Sequence, residues 1–313
     1  MNRRELVKAA IAHQPTVRAP YCLAFTPSGE QRLRQAFGCR SAREWADNDI
    51  IHVSPPWWNW HELGSEWRQA ETPDTVARVA GSGSYPQFFD QLKMLRDNSD
   101  KYILVMIYGS HFEKANAARG IENFLADMAG TPAFARKLLD RIIDKNMVML
   151  ENILVAPEID GVLRGSDWGT QLDLIMAPDT WEAMIRPGEQ REYDLVHGYG
   201  KDVWVHSCGN VQKVIPALIE MGLDVLNPVQ PEAMDLGCLK ANYGQRLTFW
   251  GGISTQQALP FGTPQEVAEE TRRVRDLMAR GGGYILAPSQ EIQDDVPPEN
   301  IRALLDVARE PLP

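Results

Sequence analysis

The sequence predicts an α/β protein whose single domain is a (β/α)8 TIM barrel. Short apolar runs alternate with longer amphipathic stretches along the 313 residues, as in a parallel sheet covered by helices. From residue 160 onward this repeat is short and regular, and polar residues or glycines follow each apolar run, which favours a closed barrel over an open sheet. No G-x-G-x-x-G follows the first predicted strand, which disfavours a dinucleotide-binding fold. We therefore expect one domain over residues 1–313.

The predicted elements begin with a short amphipathic helix over 1–13, an N-terminal extension of the barrel. Strands are predicted over 21–25, 102–107, 161–165, 203–206, 224–228, 247–251 and 284–287. Helices are predicted over 86–96, 131–156, 178–199, 211–221, 263–280 and 297–308, several of them with proline in the first turn. Between 47 and 84 the pattern gives way to prolines and to Trp57, Trp58, Trp60 and Trp67. We expect this segment to be an elaborated loop over the barrel mouth, or simply a packed one.

Composition narrows the class of protein. Lys and Arg total 32 against 42 Asp and Glu, a formal charge of -10, and no basic run occurs, so a nucleic-acid partner is not expected. The four cysteines lie far apart without C-x-x-C spacing, which fits a reducing compartment better than a disulfide framework. The apolar runs are too short to span a bilayer. We expect a cytoplasmic protein that is not inserted in a membrane.

The stretch from His206 to Asn210 is the strongest chemical signal. Side chains of a strand alternate between faces, so His206 and Cys208 at the end of an apolar run point the same way. Imidazole and thiolate together suit zinc better than magnesium or calcium. The chain is long enough to build a core without a metal, so a metal here would be catalytic. A buried thiol beside a hydrogen-bonded histidine, without metal, is the alternative.

Polar residues follow the other predicted strands, where barrel enzymes carry their chemistry. For each residue taken singly, a loop hydrogen bond or a helix cap is the alternative. The candidates are Tyr108 and His111 after the second strand, Arg164, Asp167, Trp168 and Gln171 after the third, Asn227 and Gln230 after the fifth, Trp250 at the sixth, and Gln290 and Glu291 after the seventh. Because these strand ends converge on one face of a barrel, we expect a shared site. His13, His52 and His61 lie outside strand ends and are assigned no chemistry, and Cys238 is expected to be a small residue of a helix.

Several sequence blocks occur in one order after residue 150. They are Asp160-Gly-Val-Leu, Asp167-Trp-Gly-Thr-Gln171, His206-Ser-Cys-Gly-Asn210, Asp224-Val-Leu-Asn-Pro-Val-Gln230, Trp250-Gly-Gly-Ile253, Gly282-Gly-Tyr-Ile-Leu-Ala-Pro288 and Val296-Pro-Pro-Glu-Asn300. Through these blocks the second half of the chain resembles the uroporphyrinogen decarboxylase superfamily, whose members are (β/α)8 barrels. A shared fold leaves the activity open.

The resemblance implies one of two activities. The decarboxylases of the superfamily use no metal and hold the carboxylates of a tetrapyrrole with arginines near the first strand, and the paired arginines are missing from 17–25. The corrinoid-dependent methyltransferases hold zinc with His-x-Cys and a later cysteine, and His206 and Cys208 match that pair. The later cysteine is absent from the matching segment, so Gln290 or Glu291 is expected to give an oxygen ligand, and Gln230 is a further candidate.

We therefore expect a zinc-dependent methyltransferase or demethylase. It would move a methyl group between a small substrate and a corrinoid (cobalamin) carried by a separate protein, because no D-x-H-x-x-G motif occurs here. The predicted catalytic residues are Asp167, Gln171 and Tyr108, and the predicted substrate contacts are Trp168, Arg164, His111, Trp250 and Asn227. A homodimer is expected from the decarboxylases. Two alternatives stay open: a metal-free lyase that uses Asp167 and Arg164 on a carboxylated substrate, and a non-catalytic barrel that holds a tetrapyrrole-like ligand.

Overall fold

Seven parallel strands form the central sheet, and they are neighbours in chain order. A computed structural model describes residues 1–60 and 81–313. The strands of the sheet are β1 (Ile50–Val53), β4 (Tyr102–Ile107), β5 (Gly161–Gly165), β6 (Asp202–His206), β7 (Val225–Asn227), β8 (Thr248–Ile253) and β9 (Tyr284–Pro288). Two short strands, β2 (Trp57–Trp58) and β3 (Gly81–Ser82), pair antiparallel outside it.

The segment over 21–25 lies between the two edges of this sheet. On one side the Cys22 N–H donates to the Leu286 carbonyl at 3.0 Å, and on the other the Asp49 N–H donates to the Tyr21 carbonyl at 3.1 Å. It makes isolated bridges rather than the predicted strand, because its ladder to β9 is interrupted between Tyr21 and Phe25. With this segment in the eighth position, the predicted (β/α)8-type barrel is confirmed.

Strand β1 corrects the prediction for 47–84. Its residues Ile50–Val53 pair with β4, so the first part of the expected loop belongs to the barrel wall. Trp57 and Trp58 are buried, and the Lys114 ammonium lies 5.7 Å and 5.6 Å from their ring centroids. The described part of the tryptophan segment therefore packs against the barrel. Residues 61–80, with His61 and Trp67, lie outside the described residues, so the expected lid is described only in part.

The helices predicted from the sequence are found, two of them with differences, and further helices lie between them. The predicted helix over 178–199 is divided at Ile185, because Pro187 cannot donate its amide to the preceding turn. The one over 211–221 begins as a 3-10 turn, Gln212–Val214. The helices are α1 (Arg3–Ile11), α2 (Pro27–Phe37), α3 (Ala42–Ala46), α4 (Tyr85–Asn98), α5 (His111–Arg119), α6 (Ile121–Gly130), α7 (Pro132–Leu154), α8 (Pro178–Met184), α9 (Arg186–Gly198), α10 (Ile215–Glu220), α11 (Leu236–Tyr243), α12 (Ala258–Phe261), α13 (Pro264–Met278) and α14 (Pro298–Ala308).

Alternation along the strands divides the core into two layers. One face of each strand packs on the surrounding helices, and the other fills the barrel interior with a cluster that includes Leu104, Leu163 and Trp204. Val7 of α1 belongs to the inner cluster, so α1 closes the amino-terminal end of the barrel. The opposite end, where the strands finish, carries the site residues. No helix in the described part of the chain is long and apolar enough to cross a bilayer.

Candidate metal and substrate site

His206 and Cys208 meet at the end of β6, as predicted. The Cys208 Sγ lies 3.3 Å from the His206 Nε2, and both side chains are largely buried. Gly209 turns the chain directly after them with φ +76°, and a Cβ there would lie 2.4 Å from the Thr170 carbonyl oxygen. Only glycine fits both the conformation and the close approach. The turn holds the His–Cys pair against the loop that follows β5.

Asn227 fixes the tautomer of His206. The Asn227 Nδ2 donates to the Trp250 carbonyl at 3.1 Å, so its Oδ1 faces the His206 Nδ1, 2.6 Å away. An amide oxygen accepts only, hence the proton of the neutral imidazole is on Nδ1 and the lone pair of Nε2 points toward Cys208. Orientation of a ligand histidine by a polar partner on its other nitrogen is typical of metal sites. The predicted strand-end residue Asn227 thus acts through His206.

Asp167 brings a third donor to this pair. Its Oδ1 lies 3.7 Å from the His206 Nε2 and accepts the Cys208 backbone N–H at 3.0 Å. Ligand atoms of Asp167, His206 and Cys208 all lie within 4.8 Å of one another. Carboxylate, imidazole and thiolate are the three donor types that zinc accepts. The structure therefore places Asp167, which was predicted as a catalytic residue, in the position of a third donor beside His206 and Cys208.

The charges around Cys208 suit a cation. Burial, followed by Asp167 and Glu113, raises the pKa of the Cys208 thiol to about 12. Burial and the charge of Asp167 also raise the pKa of the Glu113 carboxyl. Burial, then Glu291, raises the pKa of Tyr108 to about 12. Each shift reflects loss of solvent together with excess negative charge, which a divalent cation between these groups would relieve.

The residues expected to replace the missing cysteine are close by. The Gln290 amide nitrogen donates to the Cys208 Sγ at 3.5 Å, and its oxygen accepts the Glu291 N–H at 3.2 Å. Gln290 therefore presents nitrogen rather than oxygen to the pair, while the exposed Glu291 lines the cavity beside it. The side-chain hydrogen bonds of Gln230 go to Gln171, at 3.1 Å and 3.4 Å. Gln171 and Gln230 therefore form a contact between their two loops.

A cavity of about 60 Å³ lies in the barrel below the His206 imidazole. Tyr108, Trp250 and Asn227 line it, as predicted for a shared site, and the Tyr108 and His206 rings meet edge to face at 6.5 Å. Sequence reasoning missed two polar lining residues, His52 and Cys22, whose Nε2 and Sγ lie 3.5 Å apart. The alternation in Ile50–Val53 was the available signal for His52, but prolines and tryptophans after it favoured a loop.

Three predicted substrate contacts lie away from this cavity. Leu163 lines the cavity, so its strand neighbour Arg164 points outward, where it pairs with Glu192 at 2.5 Å. His111 is buried 3.2 Å from Glu189, and Trp168 is buried edge to face against Trp181 with centroids 5.4 Å apart. The structure places all three away from the predicted shared site, because each of them contacts α8 or α9 instead.

Comparisons with known proteins agree with this architecture. The family model of uroporphyrinogen decarboxylase (URO-D) matches residues 5–311. A uroporphyrinogen decarboxylase of Methylococcus capsulatus is 22% identical over 180 residues, 57% of this chain and 49% of that protein. One from Azoarcus sp. is 28% identical over 130 residues, 41% of this chain and 32% of that protein. The matches thus span about half or less of these curated relatives.

A solved structure shares the fold over almost the whole chain. A methyltransferase from Methanosarcina mazei superposes with a TM-score of 0.74 at 17% identity and covers 98% of both chains. At this identity the likeness shows the barrel and not the reaction. The family model extends over nearly all of the sequence, including the first strand and the His206 loop. The chain therefore belongs to the uroporphyrinogen decarboxylase family.

Proposed function

We propose that this protein is a zinc-dependent methyltransferase that moves a methyl group between a small substrate and a corrinoid held by a separate protein. The observation that carries the proposal is the group of Asp167, His206 and Cys208, with three ligand atoms within 4.8 Å at the mouth of a barrel cavity. Three protein ligands and one open position are typical of catalytic zinc. A chain named methyltransferase shares the fold.

The donor set assigns a task to each residue. His206 would hold zinc through Nε2, Cys208 through Sγ, and Asp167 through a carboxylate oxygen, with Glu291 as a neighbouring oxygen donor. Gln290 would add its oxygen only after its amide turned away from the Glu291 N–H. When bound, zinc supplies a Lewis acid that lowers the pKa of a substrate heteroatom. Asn227 keeps the Nε2 lone pair of His206 directed at the site. Tyr108 closes one side of the cavity beside His206.

The proposal includes partners beyond this chain. A corrinoid protein would dock at the barrel mouth, because the cavity is much too small for a cobalamin. We also propose a homodimer located in the cytoplasm. The substrate would be a small molecule whose reacting atom reaches His206 and Cys208 from the cavity.

Zinc content tests the proposal directly. We expect about one zinc per chain in zinc-replete protein, and its loss in His206→Ala and Cys208→Ser. Cys238→Ser, at an exposed cysteine of α11, is the matched control and should keep the metal. Methyl transfer is followed by the absorbance change of methylcobalamin with candidate acceptors. Wild-type protein without metal, or unchanged transfer in His206→Ala, would refute the proposal.

A metal-free carboxy-lyase is the second candidate, because the matched curated relatives are uroporphyrinogen decarboxylases. Such an enzyme must hold the carboxylates of its substrate. Arg164, the arginine expected for this task, is 1% exposed and paired with Glu192. Release of carbon dioxide from uroporphyrinogen that persists in a strong chelator would favour this candidate over methyl transfer. Binding of a porphyrin without turnover would favour a non-catalytic barrel.

A further inference from the structure

The charge that the described residues bring to the barrel cavity is negative. Among the residues that the structure describes, the cavity is lined by no lysine or arginine, whereas the carboxylate of Glu291 lies at its wall. Asp167 adds a second carboxylate beside the His206 ring, with 49% of its side chain exposed at the mouth. A carboxylate, phosphate or sulfonate entering here would therefore meet negative charge without a cationic partner.

The guanidinium of Arg43 does not reverse this balance. Arg43 lines a neighbouring cavity that also borders His52, on the side of α2 and α3. Glu30 and Glu291 line the same cavity, so two carboxylates accompany this guanidinium there. Lys114 is fully buried behind the wall, bonded to the Gly109 carbonyl and surrounded by indole rings. Neither cation is placed to receive an anion in the barrel cavity.

The polar groups that do face the cavity suit an uncharged ligand. The His52 side chain is partly exposed and is one of the residues that line the barrel cavity. Burial, with Arg43 nearby, lowers the pKa of His52 to about 4, so the imidazole is neutral. The Trp250 side chain, 5% exposed, lines the same cavity, and its indole nitrogen is buried. A neutral imidazole donates through one ring nitrogen and accepts through the other, so it recognises an uncharged oxygen or nitrogen group.

We propose that this cavity selects an uncharged substrate head of a few heavy atoms, hydrogen-bonded by His52 and packed against the Trp250 side chain, and excludes carboxylates, phosphates and sulfonates. The volume of about 60 Å³ admits a group of the size of one or two water molecules beyond the reacting atom. The inference rests on the proposed function for the reaction, and it narrows the methyl donor or acceptor to small neutral alcohols, ethers, amides or thiols. The binding preference itself follows from the lining residues alone.

Alkylation of Cys208 tests the preference without any metal. Iodoacetamide and iodoacetate have nearly the same size and the same leaving group, and they differ in charge. Mass spectrometry gives the rate ratio of the neutral to the anionic reagent at Cys208, and the partly buried Cys39 of the same chain is the internal reference. Thiolate fraction cancels in each ratio. At low salt we expect the ratio at Cys208 to exceed that at Cys39 by at least tenfold, and the excess to shrink as salt screens the carboxylates.

Two variants test whether the charge of Glu291 causes the preference. Glu291→Gln should reduce the excess at Cys208, while Glu299→Gln, at an exposed glutamate of α14, should leave it unchanged. Equal ratios at Cys208 and Cys39 would overturn the proposal, and so would failure of the neutral reagent to reach Cys208, since the mouth of the cavity beside His206 would then be closed to a small neutral solute. Zinc content does not enter these outcomes. If the protein binds zinc but fails this comparison, only the proposed selectivity is refuted. If it passes the comparison but binds no zinc, only the methyl-transfer proposal is refuted.

Discussion

Substitution of Asn227 by leucine isolates the orientation of His206 from the metal ligands themselves. Leucine has the same number and branching of side-chain heavy atoms but removes the acceptor that lies 2.6 Å from the His206 Nδ1. The imidazole is then free to turn or to move its proton to Nε2, the nitrogen that faces Cys208 at 3.3 Å. Loss of such a supporting hydrogen bond typically weakens metal binding 10- to 100-fold. We expect the upper part of that range, about 2 to 2.7 kcal/mol, because this bond is short and the side chain is 7% exposed.

The assay is a competitive titration of zinc between the protein and a chromophoric chelator, which gives the dissociation constant without reference to activity. Asn227→Asp keeps an acceptor toward His206 and should retain most of the affinity. Thermal unfolding of the metal-free proteins controls for the lost bond to the Trp250 carbonyl. An Asn227→Leu protein that folds and binds zinc within twofold of wild type would refute the role given to this hydrogen bond.

Two further predictions concern the buried charges outside the cavity. Arg164→Met should lower the free energy of unfolding by about 3 to 5 kcal/mol, because Glu192 loses its buried partner, while Arg186→Met, at an exposed pair with Glu182, should cost less than about 1 kcal/mol in the same urea titration. Zinc affinity should be unchanged in both. Burial lowers the pKa of Lys114 to about 7, so the unfolded chain binds more protons than the native one between that value and the pKa of a free lysine. Stability should therefore rise with pH above about 7, with a contribution of up to about 1.4 kcal/mol per pH unit. Lys114→Met should flatten this dependence, and a slope identical to wild type would contradict the assignment.

Much of the barrel wall follows from local pattern. The strands over 102–107 and 161–165 are found with the predicted bounds, because their apolar runs end at residues that differ sharply in polarity or size. Alternation also places His206 and Cys208 on one side, and their contact needs no information beyond the strand end and the turn at Gly209. Long helices such as Pro132–Leu154 have a period that tertiary contacts leave intact.

Other features depend on contacts between distant segments. A four-residue strand such as Ile50–Val53 is too short to distinguish from a loop by pattern, and it becomes a strand through pairing with β4. For the same reason the sequence pattern does not predict that His52 lines the cavity. The residue type at a loop position also does not predict where the side chain points. Gln230 points to Gln171, whereas Asp167 points to the His–Cys pair.

By itself the sequence determined the alternation of strands and helices, the family, and a histidine and a cysteine on one side of a strand end. Tertiary structure alone decided which face of each strand became the interior, and so sent Leu163 into the cavity and Arg164 onto Glu192. The physical reason is that the two-residue period of a strand separates two faces but does not show which of them lies in the barrel interior. Closure of the barrel makes that choice, because it sets the size of the interior and leaves a buried guanidinium only where a carboxylate from α9 can meet it.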